Sequence, residues 1–171
     1  MMLHLQHHHT PKSCTIENRN DGGEKDKQLF EISAYQTSAY EFFDEILQNH
    51  TDLVLDVRLK NESQLCGFTK KKDLSFFIPK ICHAAYVHDR FFTPESASLD
   101  RYLHHWIQWE QYSAEYRSAM EGKNAVGYFE EHYGNYSCVC LIGTATKKRR
   151  SHSEVLRELL ADPKRQAGKR L

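Results

Sequence analysis

The sequence predicts an α/β domain built on a mostly parallel sheet, and three observations lead to that fold class. A short strand at residues 28–33, a helix with an apolar face and a second strand at residues 52–57 follow one another at the spacing of a βαβ unit. A later run, residues 138–142, is apolar throughout, as expected for an interior strand covered on both faces. With 171 residues, the chain is long enough for one domain with a single core.

The ends of the chain differ from its middle. Residues 1–27 are polar and show no hydrophobic periodicity, so we expect an N-terminal disordered segment. The folded domain is predicted to span residues 28–162, and residues 163–171 to form a basic C-terminal tail. In the first βαβ unit, Thr37 or Ser38 is placed to cap the helix.

The middle of the chain is predicted to continue as helix and strand. Thr69 is suited to cap a helix that starts at Lys70 and ends or kinks at Pro79. A third short strand, residues 84–87, then delivers His88 to the end of the sheet. His88 can be a base, a donor to an anion or an ordinary surface histidine.

A long amphipathic segment follows. Thr93-Pro94 is a typical helix start, and the spacing predicts one helix from Glu95 to about Met120, with another at about residues 124–132. Its aromatic side chains could form a base-stacking platform, although a stripe at helical period is more typical of core packing. These side chains belong to Tyr102, Trp106, Trp109, Tyr112 and Tyr116.

The most informative stretch is residues 137–152, where the apolar strand ends at Gly143 and runs into a basic loop. Four consecutive cations, Lys147 to Arg150, precede Ser151, which can cap a final helix. Loops at the carboxyl ends of parallel strands face helix N-termini, where backbone N–H groups and nearby cations favour phosphate or carboxylate. A solvated basic turn is the alternative, and the pattern does not separate the two.

These strand ends define a candidate ligand site. Asp56 would orient a hydroxyl or a basic group, and His88 or His152 would act as acid or base. Alternatively, Asp56 and Arg58 form an ion pair whose only role is to stabilise the end of the sheet. The expected ligand-binding residues are Arg58, Thr144, Thr146, Arg150 and Ser151.

A neutral total charge conceals an uneven distribution. Residues 147–171 hold nine basic and three acidic residues, a net charge of +6, so the remainder of the chain carries −6. A basic end on an acidic chain suggests contact with a phosphorylated ligand or a polyanion, although a solvated tail is the simpler explanation. The second functional hypothesis is therefore a non-catalytic module that binds nucleic acid or a partner protein through Lys147, Lys148, Arg149, Arg150 and the C-terminus.

Several functional classes are excluded by missing patterns. No apolar run approaches membrane-spanning length and the first residues lack the features of a signal peptide, so we expect a cytoplasmic protein with reduced cysteines. Neither a nucleotide-binding glycine loop, a hydrolase serine elbow, a phosphatase cysteine loop nor a zinc-binding signature is present. We therefore expect no metal and no cofactor, while enzymatic activity stays open.

Short motifs follow one another along the chain in a recognisable order. They are LVLDVR (residues 53–58), Ser63, GFTKKKDL (67–74), AYVHD (85–89), TPES (93–96), WEQYSAEY (109–116) and the closing CLIG and SHSEVL. This order resembles the bacterial and archaeal family catalogued as domain of unknown function 488, and the resemblance covers Leu29 to about Ala161. It implies a compact three-layer, Rossmann-like α/β sandwich with a mostly parallel central sheet, and it implies no settled activity.

The closing motif departs from the family pattern. The family commonly ends a strand near L-C-x-E and begins its last helix with Cys-His-Arg. Here the region Leu141 to Thr144 lacks that glutamate, and Ser151-His152-Ser153 stands for the triplet, so only His152 is retained. Chemistry that needs the family thiolate or arginine is therefore not expected, although Arg149 or Arg150 could supply the positive charge from a displaced position.

Overall fold

The structure, a computed structural model, describes residues 27–161 as a four-stranded, all-parallel sheet between two helical layers. The strand order is β1-β4-β2-β3, so β4 lies between β1 and β2. The mixed α/β class and the parallel sheet are confirmed. The strands are β1 (Gln28–Ser33), β2 (Leu53–Asp56), β3 (Ala85–His88) and β4 (Cys138–Gly143). The helices are α1 (Ala39–Gln48), α2 (Lys71–Phe77), α3 (Ser96–Leu103), α4 (Trp109–Gly122), α5 (Ala125–Tyr133) and α6 (His152–Ala161).

The two faces of the sheet carry separate apolar clusters. Along β2, Leu53 and Leu55 face α4, α5 and α6, and Val57 just beyond the strand joins the same cluster. Val54 faces the other way, towards α1 and α2. Because side chains alternate along a strand, Asp56 lies on the side of Val54. The carboxyl end of β2 therefore projects a carboxylate towards one helical layer and Val57 towards the other.

β4 is the buried centre of the sheet, as its unbroken apolar sequence predicted. Cys140 lies opposite Phe30 on β1 and Val54 on β2, and every residue of the strand is buried. A strand with neighbours on both edges and helices on both faces has no polar side, which explains the absence of alternation in its sequence.

The capping of α1 confirms one of the two candidate caps. The Ser38 hydroxyl accepts a hydrogen bond from the Glu41 N–H at 3.1 Å, and the Glu41 carboxylate accepts one from the Ser38 N–H at 2.9 Å. This reciprocal arrangement satisfies two N–H groups that the helix itself leaves without partners.

The single long helix predicted from Glu95 to about Met120 is wrong, because two helices replace it. α3 begins at Ser96, with Glu95 rather than Thr93 as its N-cap, and it ends before His104. His105 then adopts a left-handed backbone with a φ of 59°, which a helix cannot contain. The helical spacing of apolar residues continues across this corner, so the pattern alone did not reveal it.

The predicted cap at Thr69 is also wrong. α2 begins at Lys71 with Lys70 as its N-cap. Thr69 ends a short 3₁₀ segment, Gln64–Thr69, and its hydroxyl donates to the Cys66 carbonyl at 2.7 Å. The hydroxyl is therefore engaged in the loop before the helix instead of at the helix start.

Within residues 27–161, no helix has the length and apolar content needed to span a bilayer. Apart from residue 27, the predicted N-terminal disordered segment and the basic C-terminal tail lie outside the described residues.

Gly143 provides a test of how closely α6 approaches the sheet. A Cβ at this position would lie 2.0 Å from the Ser153 Oγ and 2.9 Å from the Ser151 Oγ. We expect Gly143→Ala to lower the free energy of unfolding by about 1–3 kcal/mol, since the helix start must shift to admit a methyl group. Urea denaturation measures the difference.

Gly122→Ala is the matched control for this change. Gly122 is the last residue of α4 and has open space around its α-carbon, so the same methyl group should be neutral or should stabilise by up to about 1 kcal/mol. Equal effects of the two substitutions would contradict the close approach of α6.

Candidate functional site

A buried ion pair stands at the carboxyl end of β2. Asp56 Oδ1 accepts from Arg58 Nε at 2.8 Å, and Asp56 Oδ2 accepts from Arg58 Nη2 at 2.6 Å. Both side chains are fully buried. Two parallel hydrogen bonds between a guanidinium and a carboxylate fix the relative orientation of the groups as well as their separation.

Further partners satisfy the remaining polar atoms of this pair. Asp56 Oδ2 also accepts from Asn61 Nδ2 at 2.9 Å and from the Tyr86 hydroxyl at 2.8 Å. Arg58 Nη2 donates to the Thr69 carbonyl at 2.7 Å. These contacts connect the end of β2 to β3 and to the loop before α2. This is the arrangement expected from the alternative interpretation, in which the ion pair only stabilises the end of the sheet.

The ionisation of Asp56 follows from these neighbours. Burial by itself raises the pKa of a carboxyl group, but the hydrogen bonds and the charge of Arg58 outweigh burial and hold the pKa of Asp56 below its ordinary value. Burial, together with the same carboxylate, raises the pKa of Tyr86 well above its usual range. Asp56 is therefore ionised and Tyr86 is a neutral hydrogen-bond donor around pH 7.

Two histidines contact the backbone just after β2. His88 Nε2 lies 2.9 Å from the Arg58 carbonyl, and His152 Nε2 lies 2.8 Å from the Val57 carbonyl. The four residues predicted from separate parts of the chain thus converge on the end of β2. Asp56 and Arg58 lie towards the α1–α2 side, whereas His152 lies towards α4 and α6.

His152 is a buried, neutral imidazole. A carbonyl can only accept, so Nε2 carries the proton and Nδ1 is left as a bare acceptor. Nδ1 is buried and has no hydrogen-bond partner within residues 27–161, and the ring packs against Tyr116 with centroids 5.1 Å apart. Burial lowers the pKa of His152 to about 4, and the bond to Val57 offsets this only in part.

The basic loop after β4 is a closed turn, which we call the basic turn (residues 146–149). Thr146 N donates to the Arg149 carbonyl at 2.8 Å, and Arg149 N donates to the Thr146 carbonyl at 3.3 Å. Lys147 and Lys148 occupy its exposed tip. Within residues 27–161, neither lysine side chain forms a hydrogen bond or an ion pair in the structure.

The basic turn is anchored to the end of β1. Lys147 N donates to Gln36 Oε1 at 2.8 Å, and the Ser33 hydroxyl donates to the Ala145 carbonyl at 2.5 Å. Thr146 Oγ1 accepts from Lys148 N at 3.3 Å. The tip therefore has a defined conformation before any ligand arrives.

Arg150 connects the basic turn to a group of aromatic rings. Its Nε donates to Glu154 Oε2 at 2.8 Å, and its guanidinium lies over the Trp109 ring, 4.5 Å from the centroid. Trp109 in turn contacts Tyr102 and Tyr112. Because Arg150 is paired and stacked, the less constrained positive charges at this edge are those of the two lysines.

The polar groups at the start of α6 have hydrogen-bond partners within the protein. The Ser151 hydroxyl accepts from Thr144 N at 3.1 Å, and Ser151 N donates to Glu154 Oε1 at 3.2 Å. Ser151 is buried, and its position directly before α6 agrees with the predicted cap. The Thr144 side chain is half-buried beside it. The contacts of the Ser151 hydroxyl are with backbone N–H groups and not with the imidazole of His152.

Sequence reasoning missed several partners at this edge. Tyr86 could have been found from strand alternation, because it lies two residues before His88 on the same strand. Asn61, Thr69 and Gln36 lie in loops without periodicity, so no local pattern indicates that they contact Asp56, Arg58 or the basic turn. Their contacts depend on the tertiary arrangement.

Removal of Arg58 should be severely destabilising. Arg58→Met leaves the Asp56 carboxylate buried without its charge partner, and we expect a loss of about 3–5 kcal/mol in the free energy of unfolding. Chemical denaturation measures the loss. The control is Arg117→Met, which breaks a partly exposed pair with Glu158 and should change stability by about 1 kcal/mol or less. A small effect of Arg58→Met would contradict the structural role of the pair.

His152 should make stability depend on pH in a defined window. The unfolded chain protonates this histidine near its ordinary pKa of 6.5, but the folded chain does so near 4. Between these values the unfolded state binds more protons, so stability is full above the upper value and falls as pH decreases. The expected loss from this residue by pH 4 is roughly 3 kcal/mol.

Urea denaturation between pH 4 and 7 tests this expectation. His152→Gln keeps a donor for the Val57 carbonyl without a titrating group, so its pH dependence should be shallower. His132 is exposed, and His132→Gln should retain the original slope. An unchanged slope in His152→Gln would refute the buried neutral state.

Comparison with known proteins identifies the family. No curated protein and no solved structure matches the chain. The family model described as Domain of unknown function DUF488 matches residues 38–160, which is 123 of the 171 residues. The match runs from the cap of α1 to the penultimate residue of α6 and so includes the buried pair, both histidines and the basic turn. The chain therefore belongs to the DUF488 family of domains of unknown function.

Proposed function

We propose that this domain binds a phosphorylated, nucleotide-type ligand at the carboxyl edge of its sheet, with the basic turn and Arg150 as the phosphate contacts. The observation that carries the proposal is the exposed pair Lys147 and Lys148 on a turn already closed by backbone hydrogen bonds. A rigid turn loses little conformational entropy when it binds, so its charges contribute more to affinity than those of a flexible tail would.

The residues around β2 take a supporting role in this proposal. The polar atoms of Asp56 and Arg58 are hydrogen-bonded to each other and to neighbouring residues. The two residues therefore act as positioning residues that fix the end of β2. The half-buried Thr144 and Thr146 lie in the chain between the end of β4 and the two lysines. Their hydroxyls, with the cap at Ser151, would add hydrogen bonds to a bound phosphate.

A candidate for acid–base chemistry, if the ligand is turned over, is His88. Its ring is half-buried at the end of β3, whereas His152 is enclosed and neutral. Two strand spacings separate β3 from β4, so His88 stands roughly 10 Å along the edge from the start of the basic loop. That separation suits a ligand longer than a phosphate group alone.

The aromatic neighbours favour a nucleotide over a simple phosphate. Trp109 and Tyr102 lie beside Arg150, and aromatic rings next to arginine provide faces on which a base can stack. The sequence favoured core packing for these aromatic residues. Their proximity to the basic turn is the added reason to consider ligand contact.

A second candidate function is the binding of single-stranded nucleic acid. It is favoured by the exposed tip of the basic turn and by Trp106, whose side chain is 74% exposed and stacks with His104. Several phosphate contacts would make affinity fall steeply with salt, whereas a small-ligand site depends on salt less strongly.

Lys147→Ala/Lys148→Ala should weaken the binding of nucleoside phosphates about tenfold or more, because it removes the two unpaired cations of the turn. Isothermal titration with nucleoside mono- and triphosphates measures this, at low salt and again at physiological salt. Lys148→Ala alone is compared with Lys80→Ala, which removes one exposed lysine near the opposite edge of the sheet.

Three outcomes of this experiment are informative. Binding that is lost in the turn variant and kept in Lys80→Ala supports the nucleotide proposal. Tight, steeply salt-dependent binding of oligonucleotides, with weak binding of mononucleotides, favours the second candidate. Equal affinity in all variants contradicts both, because the basic turn would then not be the site of contact.

A further inference from the structure

A second pair of exposed lysines, Lys71 and Lys72, lies in the first turn of α2. Within residues 27–161, neither side chain forms a hydrogen bond or an ion pair. Both belong to the GFTKKKDL segment (residues 67–74), which has no part in the proposed function. Adjacent lysines usually form a solvated surface, so their position decides whether they take part in binding.

The buried ion pair fixes the position of this lysine pair. The Thr69 carbonyl accepts from Arg58 Nη2 at 2.7 Å, and Lys71 N donates to the Asn61 carbonyl at 2.8 Å. The Asn61 side chain in turn donates to the Asp56 carboxylate. The chain that carries the two lysines is therefore held against the end of β2, at the same edge of the sheet as the basic turn.

The segment after β1 connects this lysine pair to the basic turn. Ala34 follows β1 directly, and its carbonyl oxygen lies 3.5 Å from Thr69 Oγ1. Two residues later, Gln36 Oε1 accepts from Lys147 N at 2.8 Å. Because two residues of chain span at most about 7 Å, the two lysine groups flank one short segment, residues 34–36. With the lengths of the intervening side chains added, the groups are on the order of 10–20 Å apart.

Tyr35 occupies the middle of that segment. Its side chain is half-buried, and among the described residues its ring contacts no other ring and its hydroxyl has no hydrogen-bond partner. The chain from residue 33 to residue 38 contains no acidic residue. An aromatic ring between two cationic groups is typical of surfaces that bind single strands by base stacking and phosphate contacts.

We infer that this edge binds a short single-stranded oligonucleotide along a track from Lys71 and Lys72, over Tyr35, to Lys147 and Lys148. One base stacks on Tyr35, and the phosphates on either side of it contact the two lysine groups. The inference rests on the proposed function and extends its ligand from one nucleotide to several joined by phosphodiesters. The phosphates of a nucleoside triphosphate form one compact group, which suits the basic turn alone.

The test compares two ligands that each carry three phosphates. Adenosine triphosphate holds them in one group, whereas 5′-phosphorylated triadenylate separates them by nucleosides, and the total charges of the two ligands are similar. We expect the trinucleotide to bind the wild type at least about tenfold more tightly. Isothermal titration at physiological salt measures both affinities.

Lys71→Ala/Lys72→Ala should reduce this preference about tenfold. Its affinity for adenosine triphosphate should stay within about twofold of the wild type, because charges more than about 8 Å away are screened at physiological salt. For the trinucleotide, the slope of log affinity against log salt should become shallower by at least about 0.7, the change expected per lost phosphate contact with a single strand. Alanine favours helix at least as well as lysine, so the melting temperature should not fall.

Two further variants separate stacking and general charge from the track. Tyr35→Ala removes the ring and should weaken trinucleotide binding about tenfold, whereas Tyr35→Phe keeps the ring and should bind as the wild type does. Lys80→Ala removes an exposed lysine near the opposite edge of the sheet and should alter neither affinity.

The outcomes separate this inference from the proposed function. Equal binding of the two ligands to the wild type, or an unchanged preference in Lys71→Ala/Lys72→Ala, overturns the track and leaves the basic turn as a phosphate contact. Unchanged trinucleotide affinity in Tyr35→Ala, or a loss in Lys80→Ala as large as in the lysine-pair variant, overturns it as well. Failure of both ligands to bind at any salt concentration overturns the track and the proposed function together.

Discussion

The buried pair of Asp56 and Arg58 is the constraint on which the carboxyl edge of the sheet depends. A charged pair without solvent adds little net stability, because the cost of desolvation offsets the attraction between the charges. The pair instead fixes the position of the backbone after β2. Arg58 makes two hydrogen bonds to the Asp56 carboxylate, and Asn61, Tyr86 and Thr69 bond to the pair, so the segment after β2 has one conformation. That conformation presents the carbonyls of Val57 and Arg58 to His152 and His88.

A division between a frame and a contact surface follows from this arrangement. The frame consists of Asp56, Arg58 and His152; the polar atoms of Asp56 and Arg58 are paired, and His152 is neutral with its Nδ1 unpartnered among the described residues. The basic turn projects from this frame with the unpaired charges of Lys147 and Lys148 at its tip. The two are joined through Gly143, where the close approach of α6 to β4 leaves no room for a side chain.

The sequence predicted the parts of the fold that local pattern determines. The apolar run of β4, the spacing of the first βαβ unit and a cap at Thr37 or Ser38 all follow from residue type and periodicity. Parallel topology brings Asp56, Arg58, His88 and His152 to the end of β2, but His152 lies on the opposite side of the sheet from Asp56 and Arg58, so the single shared site that the sequence suggested is divided between two faces. The corner at His105 was not predictable, because the apolar spacing of a helix continues across it. Thr69 has the residue type of a cap, yet its hydroxyl and carbonyl serve the loop and an arginine 11 positions earlier. Whether Arg58 turns inward or towards a ligand depends on such distant partners, which one sequence does not reveal.

The strand order has a consequence for how the domain assembles. β1 pairs with β4 in a register that joins Gln28 to Cys138. The first strand of the sheet therefore stays unpaired until a partner more than a hundred residues later in the chain has been synthesised. Parallel pairing over such a distance requires closure of a long loop before any contact compensates for the lost entropy, and it is correspondingly slow. Until β4 arrives, β2 and β3 can form a two-stranded ribbon, and the edge of β2 stays open. Completion of the sheet and docking of α6 both require β4, so a chain arrested before β4 pairs exposes an apolar strand edge that is prone to aggregation.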